Sequence, residues 1–143
     1  MTQVSTRLLA SGSIAAPKLN YVVVGARYQE KWIFVRHRQR TTWEMVSGHI
    51  EAGETADQAA QRELFEEAGV LKSSMELLCD YEVRVEGMKE YGRFYGAEVH
   101  ELNPHLEHEI EEILLADTLP DALTYPEVHS RLFQRALEHF GLS

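Results

Sequence analysis

The chain alternates between runs rich in β-branched and aromatic residues and two stretches with helical spacing. Residues 20–28, NYVVVGARY, and 31–36, KWIFVR, suit a pleated, half-buried surface, and the short QE between them predicts a hairpin connection. A polar, basic loop follows, HRQRTT, and then WEMV at 43–46 predicts a further short strand. Residues 55–68 are spaced as a helix. Thr55 stands at its N-cap, Gln58 three residues later completes a capping box, and Gly69 supplies the stop. Two longer strands are predicted over 74–86 and 91–101, joined around Gly87. An acidic loop, LNPHLEHEIEE, covers 102–112, and ILL at 113–115 predicts a short strand. Pro126 opens a second helix at its favoured first-turn position, and Val128, Leu132, Phe133, Ala136, Leu137 and Phe140 form its apolar stripe. The sum is a mixed α/β (α+β) domain, a sheet flanked by at least two helices.

Length and composition narrow this further. At 143 residues, with 44% apolar and 26% charged residues, the chain reads as one globular domain with an ordinary core. Residues 19–143 are assigned to that domain, and residues 1–18, a poor match to a signal peptide, to a flexible extension or a first strand. The formal net charge of −9 argues against non-specific binding to nucleic acid or to an anionic membrane. It leaves a small phosphate-bearing ligand open, because a bound metal inverts the local charge. Cys79 is the single cysteine, which excludes an internal disulfide and fits a reducing, cytoplasmic setting. It reads as an apolar filler in a strand.

The first helix carries the unusual chemistry. Glu63, Glu66 and Glu67 fall within an arc of about 100° on a helical wheel, with Ala56, Ala59 and Ala60 upstream on the same side. Like charges at these spacings repel by about 0.2–0.5 kcal/mol per pair, so an isolated cluster of this kind is most simply a solvated face. The Gly-punctuated loop GHIEAGE before it, with Glu51 and Glu54, and the defined start and stop of the helix argue for a specified position instead. Oxygen donors at i, i+3 and i+4 suit a hard divalent cation such as Mg²⁺ or Mn²⁺.

Residues 48–70, GHIEAGETADQAAQRELFEEAGV, resemble the Nudix box: Gly, five residues, Glu, seven residues, then Arg-Glu-apolar-x-Glu-Glu-x-Gly-apolar. Gly48, Glu54, Arg62, Glu63, Leu64, Glu66, Glu67, Gly69 and Val70 occupy every defined position. The resemblance implies the Nudix fold, a mixed sheet between helices. It also implies a pyrophosphohydrolase acting on a nucleoside diphosphate linked to another moiety. A (d)NTP is the leading substrate, ADP-ribose or a nucleotide sugar the alternative, and a non-catalytic nucleotide-binding module the third reading. By resemblance, Glu63, Glu66, Glu67 and the carbonyl of Ser47 hold the Mg²⁺ or Mn²⁺. Arg62 orients the glutamates, Glu54 fixes Arg62, and Gly48, Gly53 and Gly69 shape the loop and helix ends. The general base is either Glu63 or a glutamate after the box, with Glu109 ahead of Glu107, and an alkaline optimum is expected. Several members of the family dimerise, which leaves a homodimer open; the expected partner is a small-molecule nucleotide, with neither nucleic acid nor membrane.

Around this core, Arg36, Arg38 and Arg40 of the basic loop, and more weakly Arg93, are candidates for the substrate phosphates. Tyr28, Trp32, Trp43, Tyr91 and Tyr95 are candidates to stack on a base, against a core role for each. Glu111 and Glu112 read as exposed residues ahead of a strand, and His105 and His108 as loop surface rather than a zinc pair.

Overall fold

The alternation of the first two apolar runs decides the layering. In the computed structural model, which describes residues 3–103 and 110–142, Val22, Val24 and Ala26 of β2 (Tyr21–Tyr28) and Ile33 and Val35 of β3 (Lys31–His37) face one side. Val23, Trp32 and Phe34 face the other. The first set packs under helix α1 (Ala56–Ala68), through Ala56, Ala59, Ala60, Leu64 and Ala68. The second packs under helix α2 (Pro126–His139), through Leu132, Phe133 and Ala136, where Phe133 meets Trp32 edge-on at a ring separation of 4.9 Å. A two-residue side-chain period thus builds two cores, one on each face of a single sheet.

The sheet order is β1 (Val4–Leu9), β5 (Val70–Val85), β6 (Met88–Leu102), β2, β3 and β7 (Ile110–Ala116), with β4 (Val46–His49) also paired to β2. The strand β1 (Val4–Leu9) lies antiparallel to β5 (Val70–Val85), within the N-terminal stretch read from the sequence as an extension or a strand. β5 and β6 (Met88–Leu102) form a long hairpin whose turn, Glu86–Gly87, has positive φ at both residues, 50° and 83°. The β2–β3 hairpin uses the same device at Gln29 and Glu30, with φ of 50° and 68°; two successive left-handed residues match the twist of paired strands. β6 runs parallel to β2, and like the β1–β5 and β3–β7 pairings it joins segments far apart along the chain, so no local pattern announces it.

β4 is Val46–His49, not the WEMV segment expected. Val46, Ser47, Gly48 and His49 pair with Val24, Val23, Val22 and Tyr21, while Trp43 and Glu44 make isolated bridges to Leu123 and Val35. The apolar signal of Trp43 and Met45 comes from burial against α2, and the strand itself begins where β2 offers an edge. β7 spans Ile110–Ala116, so it starts inside the stretch read as an acidic loop, and Glu112 lies within it rather than before it. No helix among the described residues is long and apolar enough to cross a membrane.

α1 is built as its sequence dictates. The Thr55 hydroxyl accepts from Gln58 N–H at 3.1 Å, and the Gln58 side chain accepts from Thr55 N–H at 2.9 Å. At the other end Gly69 is left-handed, φ 68°, and its N–H caps the carbonyls of Leu64 and Phe65. A Cβ at Gly69 would also lie 2.2 Å from the Asn103 carbonyl oxygen. Gly69→Ala is therefore expected to lose about 2 kcal/mol or more, from the left-handed penalty plus the backbone collision. A urea midpoint shift of less than a quarter of that would show that the helix end relaxes freely.

Candidate active site

Arg62 is the hub of the loop–helix junction. Its Nε and Nη2 form a fork on Glu54, at 2.7 and 2.9 Å. Nη1 reaches Glu63 at 2.6 Å and Glu66 at 3.2 Å, and Nη2 also donates to the His49 carbonyl at 3.0 Å. Glu54 in turn accepts from Glu51 N–H at 3.0 Å, which closes the loop over the helix. A planar, permanently charged group with five donors is the side chain that can hold three carboxylates and a carbonyl at once. The close approach of loop to helix requires Gly48, where a Cβ would sit 2.4 Å from Glu63 Oε1. Gly53 has φ 81° in the turn of the same loop.

Glu67 faces another way. It is 6% exposed, and its Oε1 accepts from Ser47 N–H at 2.8 Å. Its Oε2 lies 3.1 Å from His37 Nε2, and that same nitrogen lies 3.4 Å from Oε1 of Glu44, itself 4% exposed. Ser47 sits in extended β4 backbone and is not among the positive-φ residues. The expected ligands therefore divide: Glu63 and Glu66 meet on Arg62, and Glu67 meets His37 and Glu44. Among the described residues, the group whose ligand atoms all lie within 4.8 Å of one another is His37, Glu44 and Glu67.

The electrostatics report a shortage of positive charge. Burial, and then the charge of Glu67, push the Glu63 carboxyl up to about 7, against the opposing pull of Arg62. Burial also raises Glu67, partly countered by His37 and by Ser47 N–H. His37 is raised by its contact with Glu67, against burial. Glu54 goes the opposite way, held down at about 2 by the Arg62 fork and by Glu51 N–H. Carboxylates driven towards protonation beside an open cleft are a donor set that a divalent cation would complete.

That cleft, about 800 Å³, is lined by His37, Arg38, Arg40, Glu44, Ser47, Gly48 and Glu67, with Tyr21, His49, Tyr125 and His129 further along. Arg38 and Arg40 are thus at the cleft, as the basic loop suggested. Arg40 contacts Glu44 at 3.5 Å and lies over the Tyr125 ring at 5.6 Å. Arg36 is turned to Glu112, at 3.0 Å, and to the Arg40 carbonyl, at 2.9 Å. Arg93 does not line the cleft; it is locked on fully buried Asp80 at 2.9 Å, a structural ion pair in place of the phosphate contact expected. None of Tyr28, Trp32, Trp43, Tyr91 and Tyr95 lines the cleft; Trp32 and Tyr95 are core, the latter hydrogen-bonded to Asp57. The tyrosines that line the cleft are Tyr21, whose ring is tilted against His49 at a centroid separation of 4.7 Å, Tyr81 and Tyr125. Sequence reasoning missed His37, Glu44, Tyr21 and Tyr125. His37, Glu44 and Tyr21 lie inside segments it did notice and Tyr125 directly before the second helix, and only the tertiary arrangement shows which way each points. Glu107, Glu109, His105 and His108 lie outside the described residues.

His129 closes the apolar end of the cleft. It is 2% exposed, its Nδ1 accepts from Met45 N–H at 3.2 Å, and burial lowers its pKa to about 4. The folded state thus binds this proton less readily than the unfolded chain. Its contribution is complete above the unfolded value of about 6.5 and is lost as pH falls towards 4. Between pH 7.5 and 5 the wild type should lose about 2 kcal/mol more than His129→Gln, read from urea midpoints at the two pH values. Equal losses in both proteins would contradict a neutral buried imidazole.

A mixed sheet lies between two helices, and a cleft beside the last turn of α1 gathers carboxylates and basic side chains. Residues 18–135 match the family described as the NUDIX domain, and the chain belongs to the Nudix hydrolase family. Among curated relatives, an RNA pyrophosphohydrolase of Edwardsiella ictaluri (strain 93-146) is 37% identical over 62 residues, 43% of this chain. That match spans only about a third of the relative's own length, 34%. Among solved structures, the Bacillus subtilis pyrophosphohydrolase BsRppH superposes with a TM-score of 0.79 at 22% identity, over 95% of this chain and 91% of that one. A UDP-X diphosphatase superposes with a TM-score of 0.70 at 20% identity, over 90% and 66%. These likenesses establish the shared fold.

Proposed function

We propose that the chain is a divalent-cation-dependent pyrophosphohydrolase that cleaves a phosphoanhydride in a nucleoside polyphosphate. The observation that carries this reading is the pairing of the buried carboxylates Glu44 and Glu67 with Arg38 and Arg40 in one cleft of mononucleotide size. Glu63, Glu66 and Glu67, with the Ser47 carbonyl, are the groups that would hold Mg²⁺ or Mn²⁺. Such a cation supplies charge neutralisation for the anhydride and acidifies its bound water.

The chain's own residues carry the rest. Arg38 and Arg40 bind phosphate oxygens through charge-assisted hydrogen bonds. Arg62, anchored by Glu54, fixes Glu63 and Glu66 in place. Glu63 is one base for the proton of the attacking water; Glu109 is the alternative. The water oxygen forms the new P–O bond, and the anhydride oxygen leaves on the other phosphate. Tyr21 and Tyr125 offer faces for the base.

For the substrate, a free (d)NTP fits the acidic surface, which disfavours a long polyanion. The name of the Edwardsiella ictaluri relative supports a second reading, the 5′-triphosphate end of an RNA. The test is release of phosphate or pyrophosphate, with Mg²⁺, from a panel of NTPs, dNTPs, ADP-ribose, sugar nucleotides and a short 5′-triphosphate RNA. The proposal expects turnover of a mononucleotide. Turnover of the RNA alone would transfer the substrate assignment, and turnover of nothing in the panel would remove the hydrolase reading.

A further inference from the structure

We propose that His37, Glu44 and Glu67 form a binding site for a first-row transition-metal dication, one that selects such an ion over Mg²⁺. The inference rests on the reading above for the place of Glu67 at a cation site and goes beyond it in the ligands and in the ion selected.

The three donors come from separate elements, and each is held from behind. His37 ends β3 at a register irregularity against β7, between Arg36 and His37, the kind of feature that re-aims a side chain. Glu44 is pinned by both backbone hydrogen bonds of its bridge to Val35, at 2.8 and 3.0 Å. Glu67 sits in the last turn of α1, with Oε1 occupied by Ser47 N–H, so Oε2 is the oxygen left to face the cleft. All three line that cleft, which leaves room for water or a phosphate oxygen to complete a coordination shell.

The contacts among them are poorly matched as hydrogen bonds. Nε2 of His37 carries at most one proton, yet it faces two carboxylate oxygens, at 3.1 and 3.4 Å. Glu44 is almost sealed from solvent, and its contacts to His37, Ser47 and Arg40 all lie at 3.4–3.5 Å. A buried carboxylate with only slack contacts is costly. One dication among ligand atoms that span 4.8 Å or less would serve all three at once. An imidazole nitrogen with two carboxylates suits Mn²⁺, Fe²⁺, Co²⁺ or Zn²⁺, whereas Mg²⁺ prefers an all-oxygen octahedron and keeps its waters.

The test is titration of the metal-stripped full chain with Co²⁺ under a large excess of Mg²⁺, followed by calorimetry and by the visible absorption of the bound ion. Wild type should retain a Co²⁺ that Mg²⁺ does not displace. His37→Gln and Glu44→Gln should each weaken it by at least about tenfold. His100→Asn, which alters an exposed imidazole beside Ser74, should leave it unchanged. A measurement on the wild type needs no variant: Co²⁺ should shift the ring resonances of His37 and leave those of His100 in place. Equal Co²⁺ affinity in wild type and His37→Gln, complete release by Mg²⁺, or an unshifted His37 ring would each overturn the proposal. Hydrolysis with Mg²⁺ alone is scored separately, so loss of the transition-metal site and loss of the hydrolase reading give different results.

Discussion

Glu67→Gln is expected to lower turnover by at least about 100-fold, a loss of about 2.7 kcal/mol of transition-state stabilisation, while leaving the fold intact. The substitution keeps the size of the side chain and, through its amide oxygen, the acceptor for Ser47 N–H; it removes the charge and puts an NH₂ in place of the oxygen that faces His37. Glu67 is buried, so in the ground state that charge is a burden: burial raises its own carboxyl, and its charge helps to raise Glu63. Deleting it should therefore hold or slightly raise the melting temperature. Loss of activity with retention of stability is the signature of a group kept for chemistry rather than packing. Turnover within tenfold of wild type would remove Glu67 from the cation site. A matching fall in stability would make it a packing residue instead.

The reach of the sequence differs between the two halves of this site. The Arg62 hub was legible in part from spacing, which puts Arg62 one turn before Glu66, and otherwise through the resemblance, which implied that Arg62 orients the glutamates and that Glu54 fixes Arg62. Thr55, Gln58 and Gly69 likewise announced both ends of α1 through local hydrogen-bonding rules. The His37–Glu44–Glu67 group was not legible. Its members come from a strand end, a bridge and a helix, and what joins them is the Glu44–Val35 bridge, the hydrogen bond of Glu67 to Ser47 and the irregular end of β3. A one-residue change in strand register reverses every side chain, so no local pattern shows that His37 points inward while Arg36 points to Glu112. The same ignorance of register made Arg93 look like a phosphate ligand. It lies directly across from Asp80, in a pairing that only the long β5–β6 hairpin reveals.

That cross-strand pair gives the largest expected effect on stability. Asp80 is fully buried, and its carboxylate accepts from Arg93 Nε at 2.9 Å, from Arg93 Nη2 at 3.2 Å and from Ile14 N–H at 2.8 Å. Arg93 Nη2 also donates to the Ile14 carbonyl at 3.1 Å, so the pair ties the segment after β1 to the sheet. Burial alone would raise Asp80, but Arg93 and the N–H groups of Ile14 and Gly12 outweigh it and hold the carboxyl below its usual range. Arg93→Met preserves most of the stem volume and leaves the carboxylate buried without its cation. Breaking one side of such a pair costs about 3–5 kcal/mol. For a chain of this size that is a fall in melting temperature on the order of 10 °C. The dependence on pH carries the sign. In the wild type the depressed Asp80 contributes stability that is present above the unfolded value of about 3.9 and is lost as pH falls below it. In Arg93→Met the folded carboxyl rises instead, so protonation relieves the variant, and its deficit should shrink between pH 7 and pH 4.5. Asp80→Asn added to Arg93→Met should recover part of the loss at pH 7. A melting temperature within about 3 °C of wild type, or a deficit that widens at low pH, would show that this ion pair does not hold the fold together.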